Sequence, residues 1–515
     1  MTTRMTMARV ATALVYALLC ALPALGRTFA HPGLSYTDAD IERMRHKIEL
    51  RQEPYYSTFT ALQSSPYSKL SSGEPSPVTA ITEGKFNGTI GNDGRKVHDL
   101  ALLYRLTDDS RYADEAVKIL CRYNGLTSCS ARGTAPLDNG KIYLMLEGAE
   151  LLRDYSGWSE ADRRAFADML VYPAYSDKAY PDDHRDKYSD ENNRITFYWN
   201  ICNFDTGRWG NQGLFAARGM MAMGIFLDNE KIYDRALNYI MNREARPDDI
   251  PYSSLRPRRV RENSQSAYLV DYSVSWYDSG SQFISDEALE HYIYPNGQSQ
   301  EACRDQGHAM VGVGLLCDIA EMAGNQGDDV YSACDSRLLL GLEYACRYNL
   351  SPLTGEAWEP AGYTENPDEA TLDNGLFIRT DSHSLRWRSI APSPDGREKA
   401  FSCVRFLTQA LFHYKGVEGL DPERYRWLEA AFGHTIGDGI ENWGATNHQY
   451  EWKGWGTLTK YQSPDPETSA ATQKTDVDAG RYFTLSGISM ATRPSKAGIY
   501  IVRKGQKTDK LFIKD

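Results

Sequence analysis

Between residues 36 and 435 the apolar positions recur every three or four residues, in runs broken by short polar turns. The stretch VHDLALLYRLTDDSRYADEAVKILCRY (97–123) shows the unit, with helical spacing on both sides of TDDS. That pattern predicts two helices folded back on each other. GLFAARGMMAMGIFLDNEKIYDRALNYIM (213–241) repeats the design around DNE, and GHAMVGVGLLCDIAEMAGNQGDDVYSACDSRLLLGLEYACRYN (307–349) repeats it again. Further helices are predicted near 139–155, 159–171, 398–413 and 421–433. The hairpins share a pattern and not a strict period.

Each hairpin has an apolar face that a neighbour must cover, which leaves an open solenoid or a closed ring as the economical solutions. The glycines of ARGMMAMG and MVGVGLL favour close helix contact, as the inner layer of a ring requires. The expected fold is therefore all-α, an (α/α) toroid or incomplete barrel of helical hairpins over residues 27–462. After Tyr461 the period changes. Residues 463–480 form a polar linker with two prolines, and GIYIV and KLFI within 481–515 read as strands of a short C-terminal β segment. That segment resembles the C-terminal β segments of proteins that Bacteroidetes-type bacteria export or anchor at the surface, which suggests a sorting remnant.

At the other end, Arg4 and Arg9 precede an apolar run from Val10 to Leu25 that closes on ALG at Gly26. This is the layout of a secretory signal peptide over residues 1–26, and it predicts a secreted, periplasmic or cell-surface protein. No later run is apolar and long enough for a transmembrane segment. Formal charge is −12, and loss of the signal makes it two units more negative, so nucleic acid is excluded as a general partner. An anionic ligand then needs local positive charge; RPRRVR (256–261) and the group Arg379, Arg386 and Arg388 are the candidate gatherings. Export permits disulfides, and Cys121 with Cys129, flanking a short polar loop, is the first candidate pair. The cysteines and histidines lack zinc-like spacing, and no Asp/Asn-rich loop suggests calcium, so neither metal nor other cofactor is expected.

Two polar stretches, NFDTGRWGNQG (203–213) and NGQSQEACRDQGH (296–308), each run straight into a glycine-flanked apolar helix. In a helical ring such helix starts open on the central cleft, where free backbone N–H groups and the helix dipole favour anions. Arg304 and His308 stand four apart, on one face of a helix beginning near Cys303. Gln300, Glu301, Asp305 and Gln306 crowd the same turn. A lone histidine there would usually be a buried packing residue; this density of polar groups favours chemistry. Trp209, Trp455 and Tyr363 could stack on sugar rings, although packing accounts for most of the aromatic residues.

CRDQGHAMVGVGLLCDIAEMAGNQGDD, together with HPGLSYTDADIERMRHKI at 31–48, resembles secreted bacterial proteins of the alginate lyase superfamily, closest to polysaccharide lyase family 38, which cleaves glucuronan or alginate. The resemblance spans most of 31–460. It implies β-elimination on a 1,4-linked polyuronide and hence an anionic polysaccharide partner; a monomer is expected. Related lyases place Asn, often followed by His, at a helix start before a D-x-x-x-Y-D turn; Asn211 holds that place here, with DNEKIYD (228–234) downstream and Gln212 where His is common. By this analogy Asn211 and Arg304 neutralise the substrate carboxylate, helped by Gln212 or Gln306, so that the enolate-like intermediate is stabilised. His308 is the first candidate for the proton, and Gln300 binds substrate nearby. His413 and Tyr414 in FHYKG match a His-Tyr position of the group; Tyr268, Tyr272 and Tyr294 compete with Tyr414 as the acid–base tyrosine. Two alternatives remain at this level. A glycoside hydrolase on the same ring would use Asp305 and Glu301, and a noncatalytic glycan-binding protein would need only stacking faces.

Overall fold

The computed structural model describes residues 26–82, 84–129, 135–171, 197–202, 210–249, 259–260, 269–270, 288–303, 305–355, 358–360, 378–380, 387–389, 392–436, 439–442, 450–464, 481–483, 489–490, 498–504 and 507–513. The chain divides into two compact units, Met1–Tyr461 and Gln462–Asp515.

The first unit is built from helices. Its described helices are α1 (Asp38–Glu49), α2 (Tyr55–Gln63), α3 (Asn92–Thr107), α4 (Ser110–Cys121), α5 (Ala135–Gly140), α6 (Tyr143–Leu151), α7 (Glu160–Leu170) and α8 (Phe197–Ile201). They continue with α9 (Asn211–Phe226), α10 (Glu230–Ile240), α11 (Leu289–Tyr292), α12 (Gln306–Asn325), α13 (Ala333–Leu350), α14 (Leu407–Phe412), α15 (Arg426–Thr435) and α16 (Gly456–Thr459).

The predicted turns stop and restart helices by recognisable means. Asp108 ends α3 in the left-handed conformation at φ 57°, and the Asp109 side chain then caps α4 by accepting from the Arg111 N–H. Asp228 (φ 53°) and the Asn229 cap do the same between α9 and α10. At α1, Thr37 and Asp40 form a reciprocal capping box. Burial separates the layers. Every residue of α9 except Gln212 is buried, whereas α4 and α10 bury one stripe each; all-round burial marks an inner helix.

The inner helices close a ring. Helix α3 packs on α6, α6 on α9, α9 on α12, α12 on α14, α14 on α16, and α16 on α1 and α2, which return to α3. Helices α4, α10, α13 and α15 lie against this ring from outside. The unit is thus an (α/α) toroid, in agreement with the periodicity. Two details differ from the sequence pattern. The predicted helix 398–413 is a 3₁₀ stretch, Arg397–Cys403, followed by the short α14 and a π-helical turn, His413–Val417. Cys121 and Cys129 form no disulfide. Cys129 is buried where Ser128–Cys129 pairs with Ala80–Ile81, its sulfur against Asn200 Nδ2, so it faces the core and not the end of α4.

A buried charged cluster ties the ring internally. Arg218 of α9 meets Asp318 of α12 at 2.7 Å and donates to the Glu451 carbonyl at 2.8 Å. Lys453 pairs with the other oxygen of Asp318 and donates to Tyr143 of α6 at 3.1 Å and Gln409 of α14 at 3.0 Å. Four ring helices therefore share one ionic knot, in which the Asp318 carboxylate pairs with both cations.

The second unit contains an antiparallel four-stranded sheet. Its strands are β1 (Arg481–Phe483), β2 (Ser489–Met490), β3 (Gly498–Lys504) and β4 (Lys507–Ile513), in the order β4-β3-β1-β2. Strands β3 and β4 form a hairpin in which Lys504 faces Lys507 and Gly498 faces Ile513.

Candidate active site

Helices α9 and α12 lie parallel. Asn211 contacts His308 at their starts, and Arg218 meets Asp318 further along both. Their N-terminal ends therefore open at one place, with their positive dipole ends side by side. At the start of α12, Asp305 is the cap. Its Oδ1 accepts from the His308 backbone N–H at 3.0 Å, and its Oδ2 lies 2.6 Å from His308 Nδ1. An ionised carboxylate only accepts, so Nδ1 carries the hydrogen, which in a neutral imidazole leaves the lone pair on Nε2. The His308 side chain is 38% exposed, more than that of Asp305 at 27%. The imidazole is thus held by its Nδ1 edge.

Asn211 opens α9 after Gly210, whose φ of 84° suits glycine alone. A Cβ at Gly210 would also collide with the Glu301 carboxylate. That carboxylate, buried on the adjoining turn, accepts the Asn211 backbone N–H at 3.2 Å. The Asn211 side chain is pinned twice: Nδ2 donates to the His308 carbonyl at 2.8 Å, and Oδ1 accepts from the Tyr292 hydroxyl at 2.7 Å. Beside it, Gln212 is half-buried, and its Oε1 has no hydrogen-bond partner among the described residues.

The sequence-derived residues therefore separate into groups. Asn211, Gln212 and His308 come together at the two helix starts. Arg304, Trp209, Tyr268, Tyr272 and Tyr363 lie outside the described residues, as do the side chains of both arginine gatherings. Gln300 is buried and donates to the His291 carbonyl at 3.2 Å. Gln306 is buried too. It donates to the carbonyls of Ala302 (3.2 Å) and Ser393 (2.8 Å) and accepts from Asn349 at 3.0 Å, so it anchors loops where a substrate contact was expected. Tyr294 is buried with 1% exposure.

Three placements correct the sequence reading. Tyr414 is fully buried, and its hydroxyl donates to the Tyr331 carbonyl at 3.3 Å. The adjoining α14 attaches through Gln409 to the Cys317 carbonyl, nine residues beyond His308 and hence roughly 13 Å along the helix. Burial also pushes the Tyr414 phenol well above its ordinary pKa. His413 stacks on Tyr331 with ring centroids 3.6 Å apart and pairs with Glu418 at 3.1 Å. Trp455 is 1% exposed and donates through Nε1 to Asp99 at 3.0 Å, so it is a core residue and offers no sugar platform. The reason is common to all three: an aromatic residue near a loop reads the same in sequence whether it faces the cleft or the core.

The motifs NQGDD and HPGLSYT meet away from the site. Gln326 accepts from the Ala30 N–H at 2.9 Å and donates to the Gly33 carbonyl at 2.7 Å, while Asn325 donates to the Leu34 carbonyl at 2.6 Å. Asp328 takes Arg27 and the Tyr233 hydroxyl, each at 2.7 Å. These motifs therefore strap the N-terminal segment over the ring. Sequence reasoning missed Tyr292: it stands 81 positions from Asn211, and nothing in the local pattern links the two. The two carboxylates of a hydrolase are both committed, Glu301 to the Asn211 backbone and Asp305 to capping α12 and holding His308. Among the described residues no group of three or more His, Cys, Asp or Glu could hold a metal ion, and no helix is long and apolar enough to cross a membrane.

A helical toroid with a carboxylate-held histidine and a pinned amide at its helix starts has the parts of an acid–base enzyme. Residues 40–251 match the family model described as alginate lyase. Asn211 lies inside that match and His308 beyond it. Among solved structures, an alginate lyase from Bacteroides ovatus is similar at 12% identity, over 78% of this chain and 96% of that one, with a TM-score of 0.44. Alginate lyase A1-III from Sphingomonas species A1 is similar at 11% identity, over 82% and 95%, with a TM-score of 0.43. A variant of alginate lyase A1-III complexed with a tetrasaccharide gives 11%, 83%, 95% and 0.45. No curated protein matches the chain significantly.

Proposed function

We propose that the protein is an exported lyase that cleaves a 1,4-linked polyuronide, glucuronan or alginate, by β-elimination, in the manner of polysaccharide lyase family 38. The observation that carries this reading is the His308–Asp305 pair, 2.6 Å apart, beside the Asn211 amide at the joint start of two inner helices. Elimination needs a base for the C5 proton and donors for the neighbouring carboxylate, whose negative charge otherwise opposes the carbanion. His308 Nε2 supplies the base. The Asn211 amide and the dipoles of α9 and α12 supply donors, and Arg304, one residue before the α12 cap, adds the formal charge. In glucuronate and mannuronate rings H5 and O4 lie on the same face, so the imidazolium formed at His308 returns its proton to the departing O4. No water is consumed, and the new chain end carries a C4–C5 double bond conjugated to the carboxylate. The signal-like residues 1–26 support export.

The test is incubation with glucuronan, polymannuronate and polyguluronate, following ultraviolet absorbance of the unsaturated end alongside reducing ends. Both should rise together. Reducing ends without absorbance would show hydrolysis and sink this reading.

A further inference from the structure

We propose that Tyr292 is a positioning residue for the reaction, acting through the Asn211 carboxamide; this rests on the lyase reading above. The His308 carbonyl can only accept, so it fixes which end of the amide is Nδ2. Oδ1 must then face Tyr292, and the Tyr292 hydroxyl must be the donor at 2.7 Å. With both pins in place, the second Nδ2 hydrogen is the one left for a substrate carboxylate. Without the Tyr292 pin the amide is held at one end only, and an outward turn of Oδ1 would meet the carboxylate with like partial charge.

The surroundings keep this pin rigid. Tyr292 is fully buried at the end of α11, and Arg337 of α13 holds that turn by donating to the carbonyls of Ile293 (2.9 Å) and Glu290 (3.2 Å). Across the contact stands Gly312 of α12. A Cβ there would overlap the Tyr292 hydroxyl and lie 2.5 Å from Asn211 Oδ1. Three elements therefore converge on one hydrogen bond, with a glycine leaving it room. A site whose supporting shell is locked in this way holds the geometry that proton abstraction needs.

The test uses the full mature chain as wild type, Tyr292→Phe, Asn211→Ala and the double variant. Each is assayed for kcat and KM on whichever polyuronide the wild type cleaves, and each is unfolded in urea. Tyr292→Phe should lower kcat by about 10- to 100-fold with KM little changed, as expected for a displaced catalytic group. Adding it to Asn211→Ala should cost nothing further, because its route to the reaction is already gone. An equal loss in both backgrounds, or full kcat in Tyr292→Phe, overturns the proposal. Should the wild type cleave no polyuronide, the lyase reading fails by itself, and the unfolding data then decide the pin. Non-additive stability losses support it; additive losses overturn it.

Discussion

Gly312→Ala sets two opposed effects against each other in one helix. Alanine is favoured over glycine inside a helix by about 1 kcal/mol, so on an unobstructed face the change stabilises. Gly312 is not unobstructed: its Cβ would overlap the fully buried Tyr292 hydroxyl and press on Asn211 Oδ1. Overpacking a core costs about 1–3 kcal/mol. Parting Tyr292 from Asn211 strands a buried donor and a buried acceptor, about 1–3 kcal/mol more. The clash wins, for a net loss of about 1–5 kcal/mol once the propensity gain is subtracted. Gly324 of the same helix is the control, since a Cβ there meets nothing within 4 Å, and Gly324→Ala should gain up to about 1 kcal/mol. Urea unfolding of the two variants beside wild type reads the difference, and kcat should fall in Gly312→Ala alone. Equal stabilities for the two variants would refute the close approach of α12 to Tyr292.

Three further outcomes follow from the structure. His308→Ala should lower kcat by about 10²- to 10⁴-fold at unchanged stability, as loss of a general base does; an unfolding midpoint equal to wild type with full activity would remove His308 from the mechanism. Asp318→Ala leaves Arg218 and Lys453 buried without their shared carboxylate and should cost about 3–5 kcal/mol in urea unfolding. A loss within the scatter of surface variants would contradict the ionic knot. Glu343 accepts the backbone N–H groups of Trp427 (3.1 Å) and Leu428 (2.8 Å) at the start of α15, and burial raises its pKa to about 7. A folded pKa above the unfolded one gives stability that is full below the ordinary carboxyl range and lost as pH rises through about 7. Thermal unfolding at pH 5 and pH 8 should therefore show a smaller drop for Glu343→Gln than for wild type, and parallel curves would contradict it.

The sequence by itself determined the local elements. Residues 97–123 and 213–241 gave their hairpins because a 3.6-residue period and an Asp or Asn cap are local properties, legible without the partner surface. The glycines of ARGMMAMG foretold close helix contact for the same reason: Gly219 meets the Gly140 backbone and Gly224 the Tyr233 backbone, whereas those of MVGVGLL face the side chains of Tyr292, Phe406 and Trp452. Polar residues bunched before an apolar helix also pointed to Asn211 and His308, since a helix start exposes donors wherever it occurs. The tertiary structure alone decided which residues meet. Tyr292 reaches Asn211 across 81 positions, and Asp305 proves to be both cap and histidine partner. Tyr414, Trp455 and Gln306 turn inward to partners far along the chain. The periodicity says that a face is buried and never against what; that follows from how the ring closes, through contacts between residues hundreds of positions apart.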